Sequence, residues 1–224
     1  MPANNPAAEI RFWYTRTESD ASENEQQLLQ LPCAQQQRFK SLRHPRRRQQ
    51  YLSSRFLICS ALSDLFDQPL NYWQLEELPN SAPVIHNLPT PGYISLTHSK
   101  ELICFALSSD RIGIDAEYPK ASRDFISAAE LFMNSTEQES MPDTVARQQD
   151  YFYRLWCAKE ALYKALPAAE QARTTLASLV YNDLITGTGP WHLYETMLDQ
   201  YHIAVVSLSS IKPDSLTPRL LRCK

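Results

Sequence analysis

The chain is 224 residues long, 43% hydrophobic and 10% aromatic, enough to bury an ordinary globular core as one large domain or as two halves of about a hundred residues. A formal net charge of -3 is too near neutral to argue for non-specific nucleic-acid binding, although the run Arg43-His44-Pro45-Arg46-Arg47-Arg48 is strongly basic. With no signal-like N-terminal apolar core and no apolar run near the length of a membrane span, the expectation is a cytoplasmic protein without a membrane or nucleic-acid partner. Cysteines 33, 59, 104, 157 and 223 are odd in number and lack paired C-x-x-C spacing. They read as free thiols rather than as a zinc site or a redox dithiol.

In chain order, the aromatic stretch 9–15 predicts an opening strand, and Ser22 to Leu31 a short polar helix. A long helix is predicted over Arg46 to Phe66, with Leu52, Phe56, Leu57, Cys59 and Leu62 on one side and arginines crowding its start. Basic residues there oppose the helix dipole and are tolerated best where an anion is shared, although Pro45 also suits an ordinary solvated start. Short apolar or alternating runs at 72–75, 93–97, 102–107 and 111–117 predict strands, separated by turn formers at 79–81, 89–92 and 108–110. Asn134 and Glu137 have capping-box spacing, ahead of a helix from about Thr144 to Leu166. Two strands, 191–196 and 201–208, would pair across Leu198-Asp199-Gln200. A helix followed by an antiparallel meander thus occurs twice, which predicts an α+β protein of two halves, 1–110 and 111–224, joined near Arg111.

The residues with most chemistry lie in the second half. In the strand Gly113-Ile114-Asp115-Ala116-Glu117, side chains at i and i+2 share a face, so Asp115 and Glu117 project together and repel unless a cation lies between them. Gly113 is one of only four glycines and permits a close backbone approach or an unusual dihedral. In the helix carrying Trp156-Cys157-Ala158-Lys159-Glu160, Glu160 and Lys164 stand one turn apart. The residues alone leave two readings: edge-strand acids with a helix-surface pair, or a site for a metal-bound polyphosphate. Lys159 points about 100 degrees around the helix from Glu160, toward phosphates or toward solvent. Trp156 reads as core. His98, at a strand end between Thr97 and Ser99, suits either a structural hydrogen bond or a phosphate contact.

Taken together, Thr97-His98-Ser99, Gly113-Ile114-Asp115-Ala116-Glu117, and Trp156 with Lys159-Glu160-Ala161 and Lys164 resemble the three ordered signatures of Sfp-type 4'-phosphopantetheinyl transferases. The segment from Arg47-Arg48 to Arg55 is similar to that family's arginine-led first helix. The resemblance implies two similar α/β half-domains related by a pseudo-two-fold axis, with the active site in the cleft between them. It implies transfer of the 4'-phosphopantetheine arm from coenzyme A to a serine of an apo acyl or peptidyl carrier protein, releasing adenosine 3',5'-bisphosphate. It further implies a magnesium ion held by Asp115, Glu117 and Glu160, with Glu160 and Lys164 catalytic. Coenzyme A would be bound by Arg47, Arg48, Arg55, Pro83, Thr97, His98, Lys159 and Lys164. The family often has Gly-Lys-Pro where this chain has Ser81-Ala82-Pro83, so only the proline of that contact is kept. Phe125, Phe132 and Met133 are candidates for a rim meeting the carrier protein, although structural packing is the reading their residue types favour, and a cleft built by both halves predicts a monomer. Two other readings use the same residues: a non-catalytic carrier-protein or nucleotide-binding module, and a magnesium-dependent phosphoanhydride hydrolase.

Overall fold

The protein is represented by a computed structural model that describes residues 10–17, 21–78, 82–120, 124–212 and 219–221. Glu9, Ser81 and Cys223 lie outside the described residues. Strand β1 (Arg11–Arg16) is followed by helices α1 (Ala21–Gln30), α2 (Cys33–Ser41) and α3 (Pro45–Phe66). A two-residue pair, β2 (Leu75–Glu76) and β3 (Val84–Ile85), precedes the hairpin β4 (Tyr93–Ser99) and β5 (Leu102–Ser108). The second half runs through β6 (Ile112–Glu117), α4 (Phe125–Ala129), α5 (Ser135–Glu139) and α6 (Val145–Ala165). It then continues through α7 (Ala168–Gln171), α8 (Tyr181–Thr186), β7 (His192–Leu198) and β8 (Tyr201–Ser207), and β9 (Arg219–Leu220) ends the described chain.

The α+β class is as expected. One sheet has the order β4-β5-β1-β9 and another the order β6-β8-β7. Neighbours in both sheets are antiparallel except that β9 runs parallel to β1, bringing the end of the chain back to the first sheet. Pro45 at the first turn starts α3, where a missing N–H costs nothing. Asp67, left-handed at φ 52°, ends it by donating its backbone N–H to the Ser63 carbonyl. The capping box of α5 is present as read: Glu137 N–H donates to Asn134 Oδ1, and Asn134 N–H to Glu137 Oε2. Helix α2 was not predicted. Its glutamine-rich sequence buries only Gln35 and Phe39, one turn apart, which is too sparse a stripe to register as a helical period.

Three cores explain the layering. Leu52, Leu57, Ile58 and Leu62 of α3 pack with Trp13, Ile103 and Phe105 on the outer face of the first sheet. Phe152, Leu155, Ala158 and Leu162 of α6 pack on Ala204 and Val206 of the second sheet. Between the sheets, Phe12, Cys104 and Ala106 meet Ile112, Ile114, Ile203 and Val205. The order is helix, sheet, sheet, helix, with the junction of the two sheets made by their apolar faces. Phe132 and Met133 are 1% and 2% exposed, and Phe125 packs on Phe152 and Tyr153. The first two are thus core residues instead of a docking rim, and the exposed apolar side chain in that segment is Leu131.

Along this junction β4 lends side chains to the edge of β6. Ser95, Thr97 and Ser99 alternate at i, i+2 and i+4, so their hydroxyls share one face of the strand. Ser95 Oγ accepts the backbone N–H of Ile114 at 3.0 Å, and Ser99 Oγ accepts that of Tyr118 at 3.1 Å. These hydroxyls satisfy backbone donors that a neighbouring strand would otherwise have to pair.

Candidate active site

Gly113 determines how α6 sits on β6. A Cβ built there would lie 1.8 Å from the Ala161 carbonyl oxygen and 2.9 Å from the Ala165 backbone nitrogen, so only glycine admits the helix backbone at this distance. The close approach that the sequence suggested for Gly113 is therefore what the structure uses. It brings Lys164, one turn beyond Glu160 on α6, onto Asp115 and leaves Glu160 near enough to feel that carboxylate's charge. Lys164 Nζ donates to Asp115 Oδ1 at 2.7 Å and to the Ile114 carbonyl at 3.3 Å.

Asp115 is 5% exposed. Its Oδ1 also accepts the Thr97 hydroxyl at 2.9 Å, whereas Oδ2 is buried with no oxygen or nitrogen donor; the buried Cys157 thiol also faces this carboxylate, which helps hold the thiol protonated. A buried carboxylate oxygen without a donor is costly unless something positive completes it. Glu117, next on the same strand face, accepts the Ser99 hydroxyl at Oε2, 2.9 Å away. Glu160 is half-buried; burial, then the Asp115 charge and, less strongly, that of Glu117 push its carboxyl pKa up, against the opposing Lys164. For Lys164, burial works to lower the pKa, yet Asp115 and Glu160 outweigh it and hold the ammonium above its usual value.

Among the described residues no group of three His, Cys, Asp or Glu side chains is arranged to hold a metal ion as it stands. The donor chemistry nevertheless suits a hard cation: three carboxylates that feel one another's charge, and an orphaned buried oxygen on the central one. The residues present fit a magnesium ion in that sense.

His98 lies on the opposite face of β4 from Thr97 and is exposed. Partial desolvation, followed by the positive charges of Lys164 and, more weakly, Arg46, keeps its imidazole below the ordinary histidine pKa. Arg46 was not singled out from the sequence, where it was one of three adjacent arginines at the start of α3. All three are exposed; the guanidinium of Arg48 lies over the Phe39 ring, 4.4 Å from its centroid, and Arg46 is the arginine whose charge reaches His98. The junction thus has acids on one side and, around His98, cationic groups from both halves.

Two expected ligand contacts have other partners. Arg55 is 7% exposed, donates to both carboxylate oxygens of Glu77 at 2.7 Å and packs over Tyr51. Burial works to raise the Glu77 pKa, but Arg55 overrides it and the carboxyl stays low, so the guanidinium is committed to an internal ion pair. Lys159 is 0% exposed. Its Nζ donates to Glu137 Oε2 at 2.5 Å and to the Phe132 carbonyl at 2.9 Å, so it faces the core of the second half and not a phosphate. Trp156 packs edge-on to Phe132, as the core reading had it. Pro83 is buried, directly before β3. Cys33, Cys59, Cys104 and Cys157 are free thiols, and burial pushes Cys59 up to about 12, which removes it from nucleophilic chemistry. No helix among the described residues is long and apolar enough to cross a membrane.

Two helix-backed sheets thus meet at a junction that carries an acidic cluster, with Lys164 and Arg46 near enough for their charges to be felt at His98. A sequence model of the 4'-phosphopantetheinyl transferase superfamily matches residues 111–206, the stretch that contributes Asp115, Glu117, Glu160 and Lys164. The chain is similar to the 4'-phosphopantetheinyl transferase psf-1 of Bacillus pumilus, 30% identical over 129 residues, 57% of this chain and 53% of that protein. It is also similar to the 4'-phosphopantetheinyl transferase HetI of Nostoc sp., 32% identical over 123 residues, 51% of each, and to a 4'-phosphopantetheinyl transferase of Bacillus subtilis, 38% identical over 86 residues. The matched stretch spans about half the length of the first two relatives. The resemblance read from the three signatures is borne out.

Proposed function

We propose that this chain transfers the 4'-phosphopantetheine arm of coenzyme A to a serine hydroxyl of an apo carrier protein and releases adenosine 3',5'-bisphosphate. The observation that carries the reading is Asp115: a buried carboxylate with one oxygen clamped by Lys164 and Thr97 and the other unpartnered, within the stretch that matches the transferase superfamily. Asp115, Glu117 and Glu160 are the residues that would hold a magnesium ion. When bound, the ion supplies charge neutralisation for the diphosphate of coenzyme A.

The remaining chemistry falls to the chain's own groups. Lys164, kept charged by Asp115 and Glu160, offers a fixed cation to the diphosphate as negative charge grows on its leaving oxygen. Glu160, whose affinity for a proton is raised by burial and by its acidic neighbours, accepts the proton of the carrier serine as that oxygen attacks the near phosphorus. A bond forms between the serine oxygen and the phosphorus that bears the pantetheine arm, the bond from that phosphorus to the bridging oxygen breaks, and adenosine 3',5'-bisphosphate departs with that electron pair. His98, neutral near pH 7 because its pKa is lowered, serves as a hydrogen-bonding group for the nucleotide portion, with Arg46 and Arg47 supplying charge for its 3'-phosphate. Arg55 and Lys159 have no part in this scheme. The nucleophile comes from the partner, so the chain's task is to orient two substrates in the junction of its halves.

The test is incubation with coenzyme A, magnesium and a panel of apo carrier proteins, followed by intact-mass measurement. A mass gain of one phosphopantetheine that is lost in Glu160→Gln supports the transferase. Adenosine bisphosphate without a mass gain would assign a hydrolase, and neither product a binding module.

A further inference from the structure

We propose that Ser99 is a positioning residue for Glu117, so that the first half of the chain sets the divalent-cation affinity of acids that belong to the second half. This rests on the reading of Asp115, Glu117 and Glu160 as a cation site. Glu117 is the last residue of β6 and only half-buried, so a directional hydrogen bond adds to whatever else orients its side chain. The Ser99 hydroxyl is directional by contrast. Its oxygen accepts the Tyr118 backbone N–H at 3.1 Å, which orients the group and turns its single proton toward another acceptor. That acceptor is Glu117 Oε2, 2.9 Å away. Two residues earlier on the same strand face, the Thr97 hydroxyl does the same for Asp115 Oδ1. One strand of the first half therefore pins one oxygen on each of two neighbouring acids of the second half, and on Asp115 the oxygen not pinned is the buried, unpartnered one.

Hydrogen-bond partners of metal-ligating carboxylates hold them in the binding geometry, and their loss commonly lowers metal affinity about 10- to 100-fold. The Ser99 hydroxyl is placed to do this for Glu117. A purely structural hydroxyl, serving only the Tyr118 N–H, would change stability and leave cation affinity alone.

The experiment is titration of the full chain with Mn2+ alone, by calorimetry and by the electron-spin signal of free Mn2+, for the wild type, Ser99→Ala, Ser99→Thr and Asp115→Ala. Thermal unfolding without metal is recorded for each. Ser99→Ala is expected to bind Mn2+ about tenfold more weakly or worse, and Ser99→Thr, which keeps the hydroxyl, to recover most of the loss. In turnover, the magnesium concentration for half-maximal rate shifts upward in Ser99→Ala while the rate at saturating magnesium stays closer to wild type. If the alanine variant does not fold, Ser99→Thr is compared with Ser99→Val, equal in shape and different only in the hydroxyl. A folded Ser99→Ala with wild-type Mn2+ affinity would overturn the proposal, as would equal impairment or misfolding of the threonine and valine variants. A wild type that binds Mn2+ but transfers nothing would overturn the transferase reading and leave the Ser99 comparison intact. A wild type that binds no Mn2+ overturns the Ser99 proposal itself.

Discussion

Gly113→Ala isolates the contact on which the site is built. The added methyl would meet the Ala161 carbonyl oxygen at 1.8 Å, against 3.4 Å for the start of ordinary contact, so α6 must retreat from β6 by about 1.6 Å. The obstacle is helix backbone and not the end of a flexible side chain, so local rotamer changes cannot absorb it. Overpacking of this kind costs about 1–3 kcal/mol and sometimes more. At roughly 2–4 °C per kcal/mol for a chain of this size, the melting temperature should fall by about 2–12 °C. The same retreat lengthens the 2.7 Å Lys164–Asp115 contact and carries Glu160 with it, and a displacement of about 1 Å at reacting groups is worth on the order of 100-fold in rate. Thermal unfolding and carrier-protein labelling are measured on the same preparation. A Gly113→Ala protein with wild-type melting temperature and wild-type rate would refute the reasoning that this glycine sets the helix height.

Lys159→Met should destabilise by about 3–5 kcal/mol in chemical denaturation because it strands the buried Glu137 carboxylate; Lys159→Met with Glu137→Gln should recover part of this, since the amide oxygen still accepts the Tyr181 N–H. Arg55→Met should lower stability by about 1.5–3 kcal/mol and leave coenzyme A affinity unchanged, whereas Arg46→Ala with Arg47→Ala should weaken coenzyme A about tenfold with little change in melting temperature; isothermal titration and unfolding separate the two. The folded-state pKa of Glu160 is raised, so its ionised form opposes folding above that pKa, and the penalty disappears as pH falls below the ordinary glutamate range. Glu160→Gln should therefore melt higher than wild type at neutral pH, with the gap closing under acid. By the same shift, the pH–rate profile of the wild type should lose activity on its acidic side at a higher pH than an ordinary glutamate would give.

Elements with strong local signals were legible in the sequence. The long helices α3 and α6 carried continuous apolar stripes, the β4–β5 and β7–β8 hairpins carried alternation between turn formers, and the α5 cap was fixed by Asn134 and Glu137 alone. Gly113 was legible as a close approach because glycine is so scarce in this chain. What escaped depended on partners distant in sequence. Lys159 is adjacent to Glu160, and nothing local says that its ammonium turns inward to Glu137, 22 residues earlier. Arg55 sits in an arginine-led helix like its neighbours, but Glu77 claims it across a loop. Phe132 and Met133 were readable either as rim or as core, and their burial against α6 settles them as core. The shared face of Ser95, Thr97 and Ser99 was not read from the sequence, because its use depends on β6 lying across it.

The central claim is that Asp115, Glu117 and Glu160 share one divalent ion at the diphosphate of coenzyme A. A crystal of the chain grown with coenzyme A and Mn2+, with the metal located by its anomalous signal, tests it most directly. The account predicts one strong peak at about 2.1 Å from an oxygen of each of the three carboxylates and from the diphosphate, Mn2+ standing in for magnesium. A peak elsewhere, or coenzyme A bound with Asp115 Oδ2 still unpartnered, would contradict it.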